Sequence, residues 1–439
     1  MLKFFTTILC FYASAASATT AKRSYNNPWF TWKSISQAER QFDLSNTALN
    51  NRQCIFSNRA NKVVFNNGSR IAELDGIRFW LNVAPETAGS DKNWRLSAID
   101  LDLLSLTIQT EPAGEPKKLT VMIDAGHGGK DPGAISTCGS LKEKDIVLDM
   151  ALKTGKLLKK AGLKVLYTRT KDKTLSLTER SAAAYKEKAD LFLSIHANKA
   201  SNTNASGFET FVLTPSGYAG TASGSPPRGW QIGNKNDYNS NLLGYTLQKQ
   251  LIEKSDSVDR GLKRQSFFVL RETYCPAALV EIGFLSNPAD IGKMKTVKWR
   301  SGCAAKLCEG VLEYCRRVDS LEKTVAAKRK RESDANERWR EYLTAKKNKQ
   351  TEAELNRPTV RTNQKTLQKS ETAETVKLAD NPETPDAQVS SSTHAKLDRM
   401  TKNSVQSVAT NIYLSSDSTE PDVKQNRQHE LESLMEFYE

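Results

Sequence analysis

Three short segments of the sequence end an apolar run with a residue that can bind a metal or move a proton. His127 lies in the segment DAGHGG, His196 in LSIHAN and Glu281 in LVEIGF. Each segment has the composition of a β-strand that ends in polar residues. Open α/β sheets bind their ligands at the carboxyl ends of such strands. The pattern therefore predicts a hydrolytic metal site at one edge of a sheet.

The chain has only four histidines, and two of them, His394 and His429, lie in a polar tail. The folded part therefore keeps His127 and His196. The glycines around His127 allow a sharp turn and leave space for a ligand. A glycine-rich phosphate loop is the alternative interpretation, but the Lys-Ser/Thr pair of a P-loop is missing.

Two glutamates could complete the site. Glu143 opens a predicted helix, where a carboxylate alone would simply favour the helix dipole. Together with two histidines, however, one carboxylate forms a common catalytic zinc set with a position left open for water. Glu281 lies inside an apolar run, and a carboxylate there should not be buried without a partner. It could take a proton from water and return it to a leaving amine.

The elements that must position these residues alternate between strands and helices from about residue 118 to residue 318. The predicted strands are 119–123, 164–168, 191–196, 266–270 and 277–282, and the predicted helices are 146–161, 177–188, 242–253 and 299–317. This βα alternation predicts an α/β fold with a twisted, mostly parallel sheet flanked by helices.

A small β-rich domain is predicted at 27–110, followed by a linker at 111–117 that is rich in Pro, Glu and Gly. The dipeptides Asn67-Gly68 and Asp75-Gly76 are hairpin signals. Ile99, Leu101 and Leu103 alternate with aspartates, which predicts a half-buried strand. The tryptophans of this region, which could stack on sugars, are better interpreted as core residues. They are Trp29, Trp32, Trp80 and Trp94.

Both ends of the chain differ from this folded part. Residues 1–18 have the short positive region, the apolar stretch and the small-residue cleavage site of a secretory signal peptide. Residues 319–356 form a charged, helix-prone segment, whose basic run at 328–331 indicates a solvated helix or a contact with an anionic surface. Residues 357–439 have the composition of a disordered tail.

Export limits the partners and the location. The 439-residue chain carries a net charge of +14, which favours anionic partners, but export argues against nucleic acid. We expect a periplasmic or cell-envelope protein without a transmembrane segment. Cysteines in that compartment could form disulfides, although their pairing cannot be read from the sequence. Cys303, Cys308 and Cys315 are spaced for core packing in one helix.

Over residues 118–317 the chain resembles the zinc-dependent N-acetylmuramoyl-L-alanine amidases of the type 3 family. The matching residues are IDAGHGGKDPGA at 123–134, Glu143-Lys144-Asp145, Arg180, SIHAN at 194–198, GFET at 207–210 and VEIGFLSNP at 280–288. The set is long and ordered, so it is far more specific than any single motif.

The resemblance implies that His127, Glu143 and His196 bind Zn²⁺ and that Glu281 is the general base and acid. The implied substrate is the amide between N-acetylmuramic acid and L-alanine in peptidoglycan, cut during wall remodelling or daughter-cell separation. Arg180 would support the fold by pairing. Supporting contacts are expected from Asp124, Asn198 and Glu209.

Regulation and partners are less determined. Some similar periplasmic enzymes carry an inhibitory helix after the Glu209-type strand, but the composition of 214–240 predicts a loop here. We expect a monomer whose partners are peptidoglycan and an activator or division protein, and the β-rich domain could target the envelope. A zinc peptidase acting within stem peptides and a non-catalytic envelope-binding protein remain alternative functions.

Overall fold

The computed structural model describes residues 31–87, 93–221 and 229–355. The predicted signal peptide and tail lie outside these residues. The strands are β1 (Trp32–Lys33), β2 (Ser45–Leu49), β3 (Gln53–Ser57), β4 (Lys62–Asn66), β5 (Ile71–Leu74), β6 (Ile77–Trp80), β7 (Glu86–Thr87), β8 (Trp94–Ser97), β9 (Thr120–Ala125), β10 (Lys164–Tyr167), β11 (Leu191–Asn198), β12 (Phe208–Val212), β13 (Asp259–Arg264) and β14 (Ala277–Phe284). The α-helices are α1 (Ile35–Phe42), α2 (Ala98–Gln109), α3 (Glu143–Lys160), α4 (Leu177–Lys186), α5 (Asp237–Ile252), α6 (Phe268–Arg271), α7 (Pro288–Lys295) and α8 (Val297–Leu355).

Eleven of these strands form one mixed sheet in the order β10-β9-β11-β14-β12-β13-β6-β5-β4-β3-β2. The first four are parallel to one another, so the carboxyl ends of β9, β11 and β14 meet at one edge. Strand β12 runs antiparallel to β14. The prediction of a mostly parallel sheet flanked by helices is confirmed for the region that contains the two histidines.

Helices cover this part of the sheet because their apolar residues recur on one face. In α3 the buried positions include Val147, Met150, Ala151 and Leu158, which share a side at helical spacing. Helix α8 packs against α3 and α5. The cysteines predicted for core packing, Cys303, Cys308 and Cys315, are buried in α8. The six cysteines in the described part of the chain carry free thiols.

The N-terminal strands continue the same sheet. Strand β6 pairs with β13 through Phe79 and Leu262, and β6 to β2 then follow as an antiparallel meander. One hydrophobic core contains residues from both regions, from Ala38 to Leu321. Trp94 is buried, in agreement with the prediction that it belongs to the core. The predicted β-rich segment therefore shares its sheet and its core with the segment that follows.

The predicted strand at Ile99, Leu101 and Leu103 is wrong, because these residues lie in α2. This helix is buried on several sides, so its apolar residues do not form the single stripe that reveals an amphipathic helix. Its Asp100 is buried, and it accepts hydrogen bonds from the backbone of Asn82 and Val83. The apparent alternation reflects these buried contacts rather than a pleated strand.

The predicted strand at 266–270 is also wrong. Residues 265–267 have no regular secondary structure, the short helix α6 follows them, and the strand lies earlier, at Asp259–Arg264. Short apolar runs do not distinguish strands from helices, and the charged sequence of β13 hides it.

The interval predicted as a loop, 214–240, is described except for residues 222–228. It contains a short 3-10 helix, Ile232–Asn236, and the first turn of α5, so the loop prediction is wrong for these residues. Over the described residues, no helix combines the length and the apolar composition needed to cross a bilayer.

Candidate active site

The loop after β9 places His127 at the edge of the sheet. The strand ends at Ala125, and His127 adopts a left-handed backbone conformation with φ of 58°. Non-glycine residues rarely take this conformation, and it is often retained at functional sites. The Nδ1 atom of His127 lies 2.7 Å from Oδ2 of Asp131. This contact fixes the ring orientation and leaves Nε2 free to face the site.

Glu143, the first residue of α3, lies between the two histidines. Its Oε1 atom is 3.1 Å from Nε2 of His127 and 2.9 Å from Nδ1 of His196. Its two oxygens also accept hydrogen bonds from the backbone N–H groups of Ala197 and Ala134. The structure therefore brings together the three residues that the sequence predicted as ligands. Their ligand atoms all lie within 4.8 Å of one another, and the group could hold a metal ion.

The charges of this group depend on one another. Burial alone would raise the pKa of Glu143, but hydrogen bonds from His127 and His196 hold it below its usual range. Burial alone would lower the pKa of His127, but Glu143 and Asp131 raise it to about 9. Two imidazole nitrogens and a carboxylate oxygen are donors that suit Zn²⁺, so the residues present fit this metal.

Two glycines provide the space in which the group converges. A Cβ atom on Gly126 would lie 2.3 Å from the ring of His196. A Cβ atom on Gly133, which has a φ of 65°, would lie 2.6 Å from both Oε2 of Glu143 and the ring of His127. Side chains at these positions would displace the three residues from one another.

Glu281 lies beside this group on β14. It is in register with His196 on β11 and with Glu209 on β12. Its Oε2 atom is buried and has no hydrogen-bond partner among the described residues. Burial raises the pKa of Glu281 well above its usual range, the charges of Glu143 and Glu209 raise it further, and Lys263 opposes them. A carboxylate in this environment is suited to accept a proton and to return it.

Glu209 is held by three side chains, two of which sequence reasoning missed. Asn198 donates to its Oε1 at 2.7 Å, and Arg260 donates to its Oε2 at 2.8 Å. Lys263 also forms an ion pair with Oε2. The supporting contacts expected for Asn198 and Glu209 are therefore present, next to Glu281. Arg260 and Lys263 lie on β13, the strand that was not predicted, so no sequence signal pointed to them.

Two buried arginines lie behind the His127 loop. Arg180 pairs with Asp124, the pairing role that the sequence suggested for it. Burial alone would raise the pKa of Asp124, but Arg180 and the hydroxyl of Thr168 lower it. Sequence reasoning missed Arg169, which donates to the backbone of the same loop. Its position directly after the predicted strand at 164–168 is the same kind of signal that identified the histidines.

Comparisons of this chain with known proteins point to one enzyme family. Residues 121–313 match the family model described as N-acetylmuramoyl-L-alanine amidase. An uncharacterized protein, YqiI, of Bacillus subtilis is 34% identical over 221 residues, which are 50% of this chain and 97% of that protein. The N-acetylmuramoyl-L-alanine amidase LytC of Bacillus subtilis is 32% identical over 197 residues, which are 45% of this chain but only 36% of LytC.

Among solved structures, the catalytic domain of CwlV, an N-acetylmuramoyl-L-alanine amidase from Bacillus (Paenibacillus) polymyxa var. colistinus, is similar to this chain. The sequence identity is 31% and the TM-score is 0.39, and the match covers 45% of this chain and 99% of that domain. The matched region contains His127, Glu143, His196 and Glu281. The chain therefore belongs to the N-acetylmuramoyl-L-alanine amidase family of enzymes.

Proposed function

We propose that this protein hydrolyses the amide between the lactyl group of N-acetylmuramic acid and L-alanine in peptidoglycan. The observation that carries the proposal is the convergence of the ligand atoms of His127, Glu143 and His196 within 4.8 Å. Beside them, on the neighbouring strand, the buried Oε2 of Glu281 has no hydrogen-bond partner among the described residues. Family membership supports the substrate class, and the geometry supports the assignment of roles.

His127, Glu143 and His196 would hold Zn²⁺. When bound there, the metal would polarise the scissile carbonyl and increase the acidity of the attacking water. Asp131 would keep His127 in the tautomer that presents Nε2, and the N–H groups of Ala134 and Ala197 would keep Glu143 in place.

Glu281 would move the proton. Its carboxylate accepts a proton from the attacking water as the C–O bond forms. It then returns this proton to the amide nitrogen as the C–N bond breaks, which releases a lactyl carboxylate and an L-alanine amine. Its Oε2, which has no hydrogen-bond partner within the described part of the chain, is the atom suited to this transfer. Glu209 and Asn198 would limit the motion of the neighbouring strand without touching the reacting atoms.

We further propose that residues 1–18 direct export and that the mature protein acts in the periplasm or cell envelope. The relative LytC acts in the same class of reaction according to its name. The basic charge of the chain would favour association with an anionic wall.

The test is mass spectrometry of purified peptidoglycan digested by the mature protein, in parallel with the Glu281→Gln variant. We expect stem peptides that begin with a free L-alanine amine, produced by the unchanged protein only. Removal of the metal by chelation should abolish these products, and Zn²⁺ should restore them. Glu272, a partly exposed residue that pairs with Arg271, provides a matched Glu272→Gln control that should retain activity.

Other products would contradict the proposal in different ways. Cleavage between two amino acids of the stem peptide would indicate a zinc peptidase. A metal-loaded protein that binds peptidoglycan without releasing any product would indicate an envelope-binding protein. Full activity after complete removal of metal would contradict the assigned role of the three ligands.

A further inference from the structure

We propose that Arg169 and Arg180 act together as positioning residues that hold the backbone of residues 125–127 and thereby aim His127 at Glu143. The effect on metal binding rests on the proposed function, but the effect on the loop does not. Neither arginine touches the reacting atoms. Their role is to set in advance the geometry in which the ligands meet.

Arg169 joins the His127 loop to the start of α3. Its Nε donates to the carbonyl oxygen of Ala125 at 2.9 Å, and its Nη2 donates to that of Gly126 at 2.7 Å. The same Nη2 donates at 2.9 Å to the carbonyl oxygen of Lys144, the residue after Glu143. One guanidinium therefore fixes the distance between the segment that carries His127 and the helix turn that carries Glu143.

Arg180 holds the same loop from α4. Its Nη1 donates to the carbonyl oxygen of Ala125 and to Oδ1 of Asp124, and its Nη2 donates to the carbonyl oxygen of His127, each at 2.7 Å. Asp124 is also held by the hydroxyl of Ser194 on β11. Three consecutive carbonyl groups, at 125–127, thus accept hydrogen bonds from two arginines.

The buried charges of Arg169 and Arg180 indicate that these residues do more than fill space. Both arginines are nearly fully buried, with exposed fractions of 3% for Arg169 and 4% for Arg180. Asp124 pairs with Arg180, whereas Arg169 donates its hydrogen bonds to backbone carbonyl oxygens. Burial lowers the pKa of Arg169, and the neighbouring charge of Arg180 lowers it further. Burying two like charges is costly, so the fold gains something specific from them.

The two arginines hold the strained backbone of the His127 loop in place. His127 has a φ of 58°, and such a conformation persists only when surrounding contacts over-determine it. Gly128 fits closely above Arg169, because a Cβ atom there would lie 3.0 Å from its Nε. The planar guanidinium provides several donors in a fixed arrangement, which the single ammonium of lysine cannot reproduce.

The experiment measures Arg169→Gln, Arg169→Lys and Arg180→Gln in the full mature chain. The matched control is Arg300→Gln, since Arg300 on α8 also donates to two carbonyl oxygens, those of Met294 and Lys295, and pairs with a carboxylate, Asp149. Zn²⁺ affinity is measured by competition with a chromophoric chelator. Amide hydrogen exchange of Gly126, Gly128 and Gly129 is measured in the metal-free protein, and thermal unfolding is recorded for every variant.

We expect each site variant to bind Zn²⁺ about 10–100-fold more weakly, the usual effect of losing a contact behind a metal ligand. Exchange at the three glycine amides should accelerate at least about tenfold, consistent with a local opening that contacts no longer resist. Arg169→Lys should regain thermal stability without regaining Zn²⁺ affinity. Arg300→Gln should change the unfolding temperature but neither of the two site measurements.

The two readouts separate the inference from the proposed function. Unchanged exchange in the site variants would overturn the positioning role. Accelerated exchange with unchanged Zn²⁺ affinity would overturn the link from the loop to the metal. Accelerated exchange in a protein that never binds Zn²⁺ would support the positioning of the loop and contradict the proposed function instead. If Arg300→Gln lost as much Zn²⁺ affinity as the site variants, Arg169 and Arg180 would contribute only to the general stability of the fold.

Discussion

Glu143 and Glu281 lie in one site, yet their surroundings are opposite. Glu143 accepts hydrogen bonds from two backbone N–H groups and faces both histidines, which hold its pKa low. Glu281 has a buried oxygen with no partner among the described residues, and burial holds its pKa high. Two carboxylates with pKa values shifted apart are typical of sites that divide binding from proton transfer.

The difference follows from the elements that carry the two residues. Glu143 opens a helix, where unpaired N–H groups and nearby loops supply donors. Glu281 lies within a strand, in register with the like-charged Glu209 on one side and with His196 on the other. The same side-chain type therefore has a lowered pKa in one place and a raised pKa in the other.

The largest expected effect comes from exchanging the two carboxylates for amides. Glu143→Gln should lose metal affinity by more than the 10–100-fold typical of contacts behind a ligand, and it should lose activity with it. Glu281→Gln should retain metal affinity but turn over about 10²–10⁴-fold more slowly, because only proton transfer is removed. Metal affinity by chelator competition and product release from peptidoglycan measure the two effects separately. If both variants lost metal equally, the division of roles between the two glutamates would be wrong.

A smaller loss of activity is expected when Glu209, the carboxylate next to Glu281, is altered. Glu209→Gln removes the charge that Arg260 and Lys263 neutralise, and it leaves these two partly buried cations without their carboxylate partner. We expect kcat to fall about tenfold or more while the metal affinity stays near that of the unchanged protein. Steady-state kinetics and chelator competition check this result. A loss of metal affinity without a change in kcat would mean that Glu209 supports metal binding by Glu143 rather than proton transfer by Glu281.

The residues of the candidate site could be predicted from the sequence because each lies at the end of a strand-like run or opens a helix. His127, His196 and Glu281 are the polar residues of otherwise apolar runs, and the parallel sheet brings those runs to one edge. The contacts behind them could not be predicted in this way. Arg260 and Lys263 lie on a strand with a charged sequence, and Arg169 acts through carbonyl groups that every residue possesses.

The fold shows the same limit at α2 and β6. Burial on several sides removes the helical period of α2, so the pattern of its apolar residues wrongly predicts a strand. The pairing of β6 with β13 joins residues 79 and 262, a separation at which local sequence carries no signal. Local patterns thus determine elements and the catalytic edge, whereas the continuation of the sheet depends on long-range packing.

The pH dependence of kcat/KM tests the role of Glu281 in proton transfer. Its carboxylate must be ionised to accept a proton, so activity falls as the pH falls through its raised pKa. Lys263 lowers that pKa, and Lys263→Met should therefore move the acidic limb of kcat/KM to higher pH. Activity well above this limb should change less. The exposed ion pair of Lys293 with Asp256 provides a Lys293→Met control with an unchanged profile. Movement of the limb to lower pH would contradict the assignment of the limb to Glu281.

The smallest effect on activity is expected from shortening α8, since neither carboxylate depends on its second half. A chain that ends after residue 345 keeps Leu321, which is 1% exposed, and the contact of Lys328 with Asp102 at 3.2 Å. A chain that ends after Val318 loses both, at a cost of about 1.5–3 kcal/mol for a buried leucine, so its Tm should fall. At a temperature where both chains are folded, kcat should equal that of the full protein. A folded but inactive chain ending after Val318 would mean that the second half of α8 supports Glu143 or Glu281 after all, and metal affinity would then show which.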